Sequence, residues 1–180
     1  GVRFDLPALT AARKAGKVVT SDLEVFFDLC PCPIIGVTGS DGKTTTTTLI
    51  SEMLRAEGKT VHLGGNIGKA LFPEIESVRP EDYAVVELSS FQLTSMRRSP
   101  QVAVVTNLSP NHLDVHGTME EYVNAKRNIL LHQNAFSRTV LNADNDMARR
   151  LIPDVRGALS TFSRCANVYR GAWADSRGVL

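Results

Sequence analysis

Apolar residues along this chain gather in short runs, separated by amphipathic stretches and polar turns. Pro33-Ile34-Ile35-Gly36-Val37, Thr60-Val61-His62-Leu63, Tyr83-Ala84-Val85-Val86-Glu87-Leu88, Val102-Ala103-Val104-Val105-Thr106 and Thr139-Val140-Leu141 have strand length and are rich in β-branched residues. Between them the period shifts to that of helices. Leu49, Ile50, Met53 and Leu54 mark one helical face, and the residues after a Gly64–Gly68 loop read as a helix ending near Ser77. Phe91 to Arg98 reads as a short helix. A longer one runs from about Met119 to His132, opened by the capping box Thr118-Met119-Glu120-Glu121. Strands alternating with helices predict an α/β fold, a mostly parallel sheet with helices on both faces. In such sheets ligands collect outside the carboxyl ends of the strands.

Residues 1–32 read differently. Leu6-Pro7-Ala8-Leu9 opens a short helix, Val18-Val19-Thr20 suggests a small strand, and Ser21-Asp22 can cap another helix. That piece is too small to form a core alone, and Gly1 begins as if cut from something longer. Composition narrows the class. At 180 residues, with 43% hydrophobic and 22% charged residues, the chain can bury a sizeable core as one domain plus a short appendage. A net charge of +1 predicts no attraction to nucleic acid or anionic membrane. No apolar run approaches membrane-spanning length, so no membrane insertion is expected. Cys30, Cys32 and Cys165 show no metal-ligand spacing, and read as reduced cysteines of a cytoplasmic protein.

Gly36-Val-Thr-Gly39-Ser40-Asp41-Gly42-Lys43-Thr44-Thr45 lies between a strand and a helix. Glycines at 39 and 42 let backbone N–H groups turn toward an anion, the helix N-terminus adds partial positive charge, and Lys43 supplies a full one. Thr44 stands where a magnesium-binding hydroxyl belongs, with Thr45 beside it. The strict P-loop pattern wants glycine where Val37 stands, so the loop fits the variant G-x-x-G-x-x-G-K-T. The competing reading is a glycine-rich turn with an exposed lysine. Glu87 closes an apolar strand and is well placed to hold Mg²⁺ directly or through water; a capping or salt-bridged glutamate is the alternative. His112 belongs to Asn111-His112-Leu113-Asp114-Val-His116, a cluster that is commonly just a solvated loop, here beside the phosphate site. His62 and His132 have no such context and read as structural or exposed. Lys126 shares a helical face with Met119, Tyr122, Val123 and Leu130. It either snorkels outward or is buried, and a buried neutral amine could add CO₂ and become a carbamate.

Thr38-Gly-Ser-Asp-Gly-Lys-Thr-Thr45, Asn111-His-Leu-Asp114 and Asn124-Ala-Lys126 together resemble the Mur ligases, ATP-dependent amide ligases of peptidoglycan synthesis. Gly65-Asn66-Ile67-Gly68 and Glu87-Leu-Ser-Ser-Phe-Gln-Leu93 are similar to the branch that adds D-glutamate to UDP-N-acetylmuramoyl-L-alanine. The resemblance implies a P-loop-type sheet, and ATP bound by Gly39, Ser40, Asp41, Gly42, Lys43, Thr44 and Thr45. It implies two Mg²⁺ ions, one on Thr44 and Glu87 and one on His112 and a carbamylated Lys126. Lys43, His112 and Lys126 would be catalytic, Asn66, Ser89 and His112 would position the UDP-substrate, and the protein would be a monomer. Asp41 replaces a common asparagine of the loop, and Asn111 replaces a frequent acidic residue. The resemblance further implies that residues 1–32 end an N-terminal UDP-substrate domain with its linker. Residues 33–180 would be a central ATP-binding domain, ending around Val168-Tyr169-Arg170 and Gly178-Val179-Leu180 within its later strands, with the amino-acid-binding domain absent. Two other readings compete: a non-catalytic Mg-ATP-binding module, and a folate-polyglutamating ligase of the same superfamily.

Overall fold

The computed structural model describes residues 6–109, 118–175 and 178–179. Its helices are α1 (Pro7–Lys14), α2 (Asp22–Leu29), α3 (Lys43–Ala56), α4 (Ser90–Ser95), α5 (Met119–Leu131) and α6 (Asp146–Arg149). Its strands are β1 (Ile34–Thr38), β2 (Val61–Gly65), β3 (Tyr83–Glu87), β4 (Val102–Val105), β5 (Arg138–Asn142), β6 (Ala158–Ser163), β7 (Gly171–Asp175) and β8 (Gly178–Val179). They form one sheet in the order β2-β3-β1-β4-β5-β6-β7-β8, in which only the β7–β8 pairing is antiparallel.

This order places the site. The chain leaves β1 toward β2 and β3 on one side, and later returns to β4 on the other, so β1 lies between β3 and β4. The carboxyl end of β1 is thus the point where the winding reverses, the position at which sheets of this kind collect their ligands. Alternation in β3 sends Ala84 and Val86 into a cluster with Phe26 and Phe27 of α2, Leu93 of α4, and Ile129 and Leu130 of α5. α3 packs along β1, β2 and β3. Helices on both faces were the sequence expectation, and both faces are covered.

The differences are local and have physical reasons. Val18–Thr20 form no strand: Val18 is 80% exposed, and Thr20 Oγ1 instead donates to Glu24 Oε2 (2.8 Å). α4 stops at Ser95, short of Arg98, because the Arg97 backbone N–H is taken by Glu24 Oε1 at 2.8 Å. The segment ending at Ser77 is a 3₁₀ helix, Phe72–Ser77, and β2 runs through Gly65 rather than ending before a Gly64–Gly68 loop. The larger correction concerns α3. Its buried residues are Thr47 and Ser51, whereas Leu49 (56%) and Met53 (61%) are exposed. Thr47 Oγ1 donates to Lys43 O (2.7 Å) and Ser51 Oγ to Thr47 O (2.9 Å), so these hydroxyls enter the packed face already satisfied.

α2 is fastened to the sheet by charge as well as by its phenylalanines. Glu24, only 3% exposed, accepts from Arg97 N, from Arg97 Nε and Nη2 (both 3.1 Å), and from Thr20. Asp28 pairs with Arg98 alongside. Burial pushes the Glu24 carboxyl up, but the hydrogen bonds from Arg97 and Thr20 outweigh it and hold the group below its ordinary value. A carboxyl so depressed stabilises the fold above its unfolded pKa of about 4.3, and loses that contribution as pH falls through its lower folded value. Glu24→Gln is therefore expected to cost about 1–3 kcal/mol at neutral pH. In urea unfolding, the gap to wild type should shrink as pH falls below about 4; a pH-independent gap would deny the ion pair this role.

Candidate functional site

The loop after β1 is held open by the loop after β4. Asn107 Oδ1 accepts from Ser40 N (3.1 Å) and Asp41 N (2.9 Å), and Asn107 O accepts from Ser40 N (2.9 Å). Thr106 Oγ1 donates to Asp41 O at 2.6 Å. The two loops approach so closely that a Cβ on Gly39, whose φ is +155°, would meet Thr106 Oγ1 at 1.9 Å. Only glycine fits there. Gly42 then caps α3, so the helix N-terminus faces the mouth of the loop.

Lys43 folds back over this loop, its Nζ donating to Gly39 O (3.0 Å) and Ser40 O (2.9 Å). Thr44 Oγ1 donates to Glu87 Oε2 at 2.7 Å, and Asn66 Nδ2 donates to Glu87 Oε1 at 2.9 Å. Glu87 is 1% exposed, so both carboxylate oxygens are satisfied where water cannot serve them. Gly65 makes this meeting possible. Its φ is +103°, a Cβ would strike Glu87 O at 2.3 Å, and the next residue's N–H (Asn66) donates to that oxygen at 2.9 Å.

Lys126 faces inward. It is 2% exposed, with Nζ donating to Gly39 O (3.0 Å) and Thr38 Oγ1 (3.2 Å), and lying 4.9 Å from the centre of the Tyr122 ring. Burial, then the neighbouring charge of Lys43, push its amine down to about 7, with Glu87 opposing. Snorkelling is thereby replaced by burial, and the buried stripe of α5 is Tyr122, Ala125, Lys126, Ile129 and Leu130. Tyr122 OH lies 2.9 Å from Ser40 Oγ, so α5 touches the loop twice.

Five of the sequence-predicted residues thus converge: Lys43 and Lys126 share Gly39 O, and Thr44 meets Glu87, which Asn66 also holds. Ser89 is nearby in the chain, but its hydroxyl is engaged as the N-cap of α4, in a capping box with Gln92. Thr45 is exposed on the first turn of α3. Asp41 is exposed, its Oδ2 accepting from Ser109 Oγ at 3.5 Å. His112, with Asn111, Asp114 and His116, lies outside the described residues. His62 is structural, its Nε2 2.9 Å from Asp82 Oδ2, and His132 is exposed at the end of α5. Nothing in the residue pattern alone marks Asn107, Thr106 and Tyr122 as site residues. The only available signal was that Thr106 and Asn107 are polar residues at the carboxyl end of an apolar strand.

Oxygen donors of this kind suit a hard cation such as Mg²⁺, which takes one or two carboxylates and leaves the remaining positions to phosphate and water. Among the described residues no cluster of three or more His, Cys, Asp or Glu could hold a metal. A cation here would accordingly rest on Glu87, a hydroxyl, and its own ligand's phosphates.

Residues 37–176 match the Mur ligase middle domain. The chain is 55% identical over 172 residues to the UDP-N-acetylmuramoylalanine–D-glutamate ligase of Acetivibrio thermocellus, covering 96% of this chain and 37% of that protein. It is 51% identical over 176 residues to the ligase of the same name from Clostridium acetobutylicum, covering 98% and 38%. The chain thus spans well under half the length of these curated relatives. Among solved structures, MurF from Acinetobacter baumannii superposes with a TM-score of 0.67 at 19% identity, over 89% of this chain and 38% of that one. A UDP-N-acetylmuramoyl-L-alanyl-D-glutamate–2,6-diaminopimelate ligase superposes with a TM-score of 0.63 at 21% identity, over 95% and 40%. At that identity the likeness is one of fold. With the middle-domain match covering most of its length, the chain belongs to the Mur ligase family.

Proposed function

We propose that this chain is the ATP-handling part of a ligase that joins D-glutamate to UDP-N-acetylmuramoyl-L-alanine in peptidoglycan synthesis. The observation that carries the reading is the convergence of Lys43, Thr44, Glu87 and Lys126 on the carboxyl ends of β1 and β3. Relatives bearing that ligase name at 51–55% identity favour it over a folate-polyglutamating enzyme. No helix among the described residues is long and apolar enough to cross a membrane. A monomeric protein acting in the cytoplasm fits this reading.

The substrate carboxylate attacks the γ-phosphate of ATP, releasing ADP and forming an acyl phosphate. The amine of D-glutamate then displaces phosphate, giving the amide. Backbone N–H groups of residues 39–45 cradle the phosphates, and Lys43 turns from its loop carbonyls to neutralise charge moving toward the leaving oxygens. Thr44 and Glu87 would hold one Mg²⁺, whose part is to offset the negative charge of carboxylate and phosphates. Lys126, as a carbamate, and His112 would hold the second. The low pKa of Lys126 suits this, because the neutral amine is the form that adds CO₂. Asn66 and Ser89 would position the UDP-substrate, each giving up part of the contact it makes here with Glu87 or Gln92.

In the full-length protein, Lys43→Ala should lower kcat on the order of 10²–10³-fold, as for loss of one transition-state donor. Mg-ATP binding by calorimetry should change far less; near-normal turnover would remove Lys43 from the mechanism. Lys126→Ala should be inactive and partly rescued by added short-chain carboxylates, and an alanine variant with full activity in bicarbonate-free buffer would sink the carbamate. Lys126 also makes a prediction without turnover. An amine lowered to about 7 when folded, against about 10.4 unfolded, binds fewer protons folded than unfolded between those values. Its burden on stability therefore lightens as pH rises through that window. In CO₂-free buffer, Lys126→Met should gain more stability over wild type at pH about 6.5 than at about 9, read by urea unfolding; an equal gain at both would contradict the lowered pKa.

A further inference from the structure

Cys30 and Cys32 flank Pro31 between α2 and β1, and take no part in the site above. Both thiols are free, and their sulfurs lie 3.5 Å apart. Cys30 Sγ also lies 3.6 Å from the Cys32 carbonyl oxygen, so its side chain is already turned toward its neighbour. The two thiols are unequal. Cys32 is 2% exposed, whereas Cys30 is half-buried at the C-cap of α2, its N–H bonded to Phe26 O at 2.8 Å. Cys30 is therefore the more accessible of the two to a small reagent.

We propose that Cys30 and Cys32 are an oxidisable dithiol, a modification site that closes to an intrachain disulfide by exchange with a small-molecule disulfide. Cys30, as thiolate, attacks one sulfur of the reagent; the reagent's S–S bond breaks and one small thiol leaves, taking up the proton that Cys30 gave. Cys32 then loses its proton to water and attacks Cys30 Sγ, expelling the second small thiolate, which is protonated in turn. Two protein thiols are oxidised, and one small disulfide is reduced to two thiols. Burial, and after it the hydrogen bond and charge of Cys30, push the Cys32 thiol up to about 12. Capping Cys30 in the first step removes the contributions that come from Cys30. The sulfurs must then close to about 2.05 Å. Cys32 is anchored, because Pro33 O, one residue on, accepts the Ala84 N–H at 3.0 Å. The movement therefore falls on Cys30 and draws the last turn of α2 toward the start of β1.

The test is peptide mapping of the purified full-length protein, equilibrated in buffers of rising glutathione disulfide, alkylated and digested with trypsin. Cleavage after Lys17 and Lys43 leaves both cysteines in the peptide 18–43, while Cys165 falls in 165–170. Cys165 is exposed and serves as the reference thiol. The expected result is a peptide 18–43 lighter by two hydrogens and free of alkyl groups, in the buffers where Cys165 carries glutathione. Cys32→Ser should stop with glutathione on Cys30, and Cys30→Ser should leave Cys32 unmodified until the protein is denatured. A wild-type peptide that keeps both thiols while Cys165 is fully modified, or that ends with glutathione on Cys30, would overturn the proposal.

Discussion

A buried amine must be satisfied from all sides, and in this fold the obligation falls on Lys126. Its partners, Gly39 O and Thr38 Oγ1, stand at the carboxyl end of the central strand, and Lys43 shares the same carbonyl. Bringing α5 to that point requires β4 to pair beside β1, so that the chain entering α5 leaves from the neighbouring strand end. It also requires Gly39, since a side chain there would push the β4 loop away. Helix α5, the central strand and the glycine-rich loop after it are thereby tied together. The electrostatic cost is lessened by Glu87, whose carboxylate raises the amine's affinity for a proton.

The same logic explains the second carboxylate-centred knot. Glu87 is buried with both oxygens bonded, one to Thr44 on α3 and one to Asn66 after β2. One helix and two strand ends thus contribute one group each to a single point. This is what a parallel sheet does well: strand ends of the same polarity line up, and residues far apart in sequence become neighbours. α2, though it precedes the sheet, is held to the region after α4 by the Glu24–Arg97 and Asp28–Arg98 pairs.

Much of this was legible in the residues. The apolar runs at β1, β3, β4 and β5, the glycine-lysine-threonine loop and the Thr118–Glu121 capping box each rest on a local rule, and local rules survive folding. Lys126 was visible as a misfit on an inward stripe. What escaped depends on partners. β6 is half-buried and contains Ser160 and Thr161, so no apolar run announces it; it exists because β5 offers a free edge. The packed face of α3 is made of hydroxyls that bond their own backbone, which hydrophobic periodicity misreads as the outer face. Asn107 matters only because it stands opposite the amides of Ser40 and Asp41, a proximity that sheet order creates. Cys30 and Cys32 looked inert by spacing, and only their side-chain directions bring the sulfurs together.

Lys43 bonds two carbonyls of its own loop. These two bonds tie the ammonium back across the turn of the loop. On the proposed function, an arriving phosphate would compete with two backbone carbonyls for this ammonium. Its affinity would then be a difference between two sets of contacts made by the same nitrogen. A phosphate that recruited the lysine would also release two carbonyl oxygens, one of them shared with Lys126. On the proposed function, occupancy at the mouth of the loop would thus reach the buried amine behind it through a single shared oxygen atom, Gly39 O.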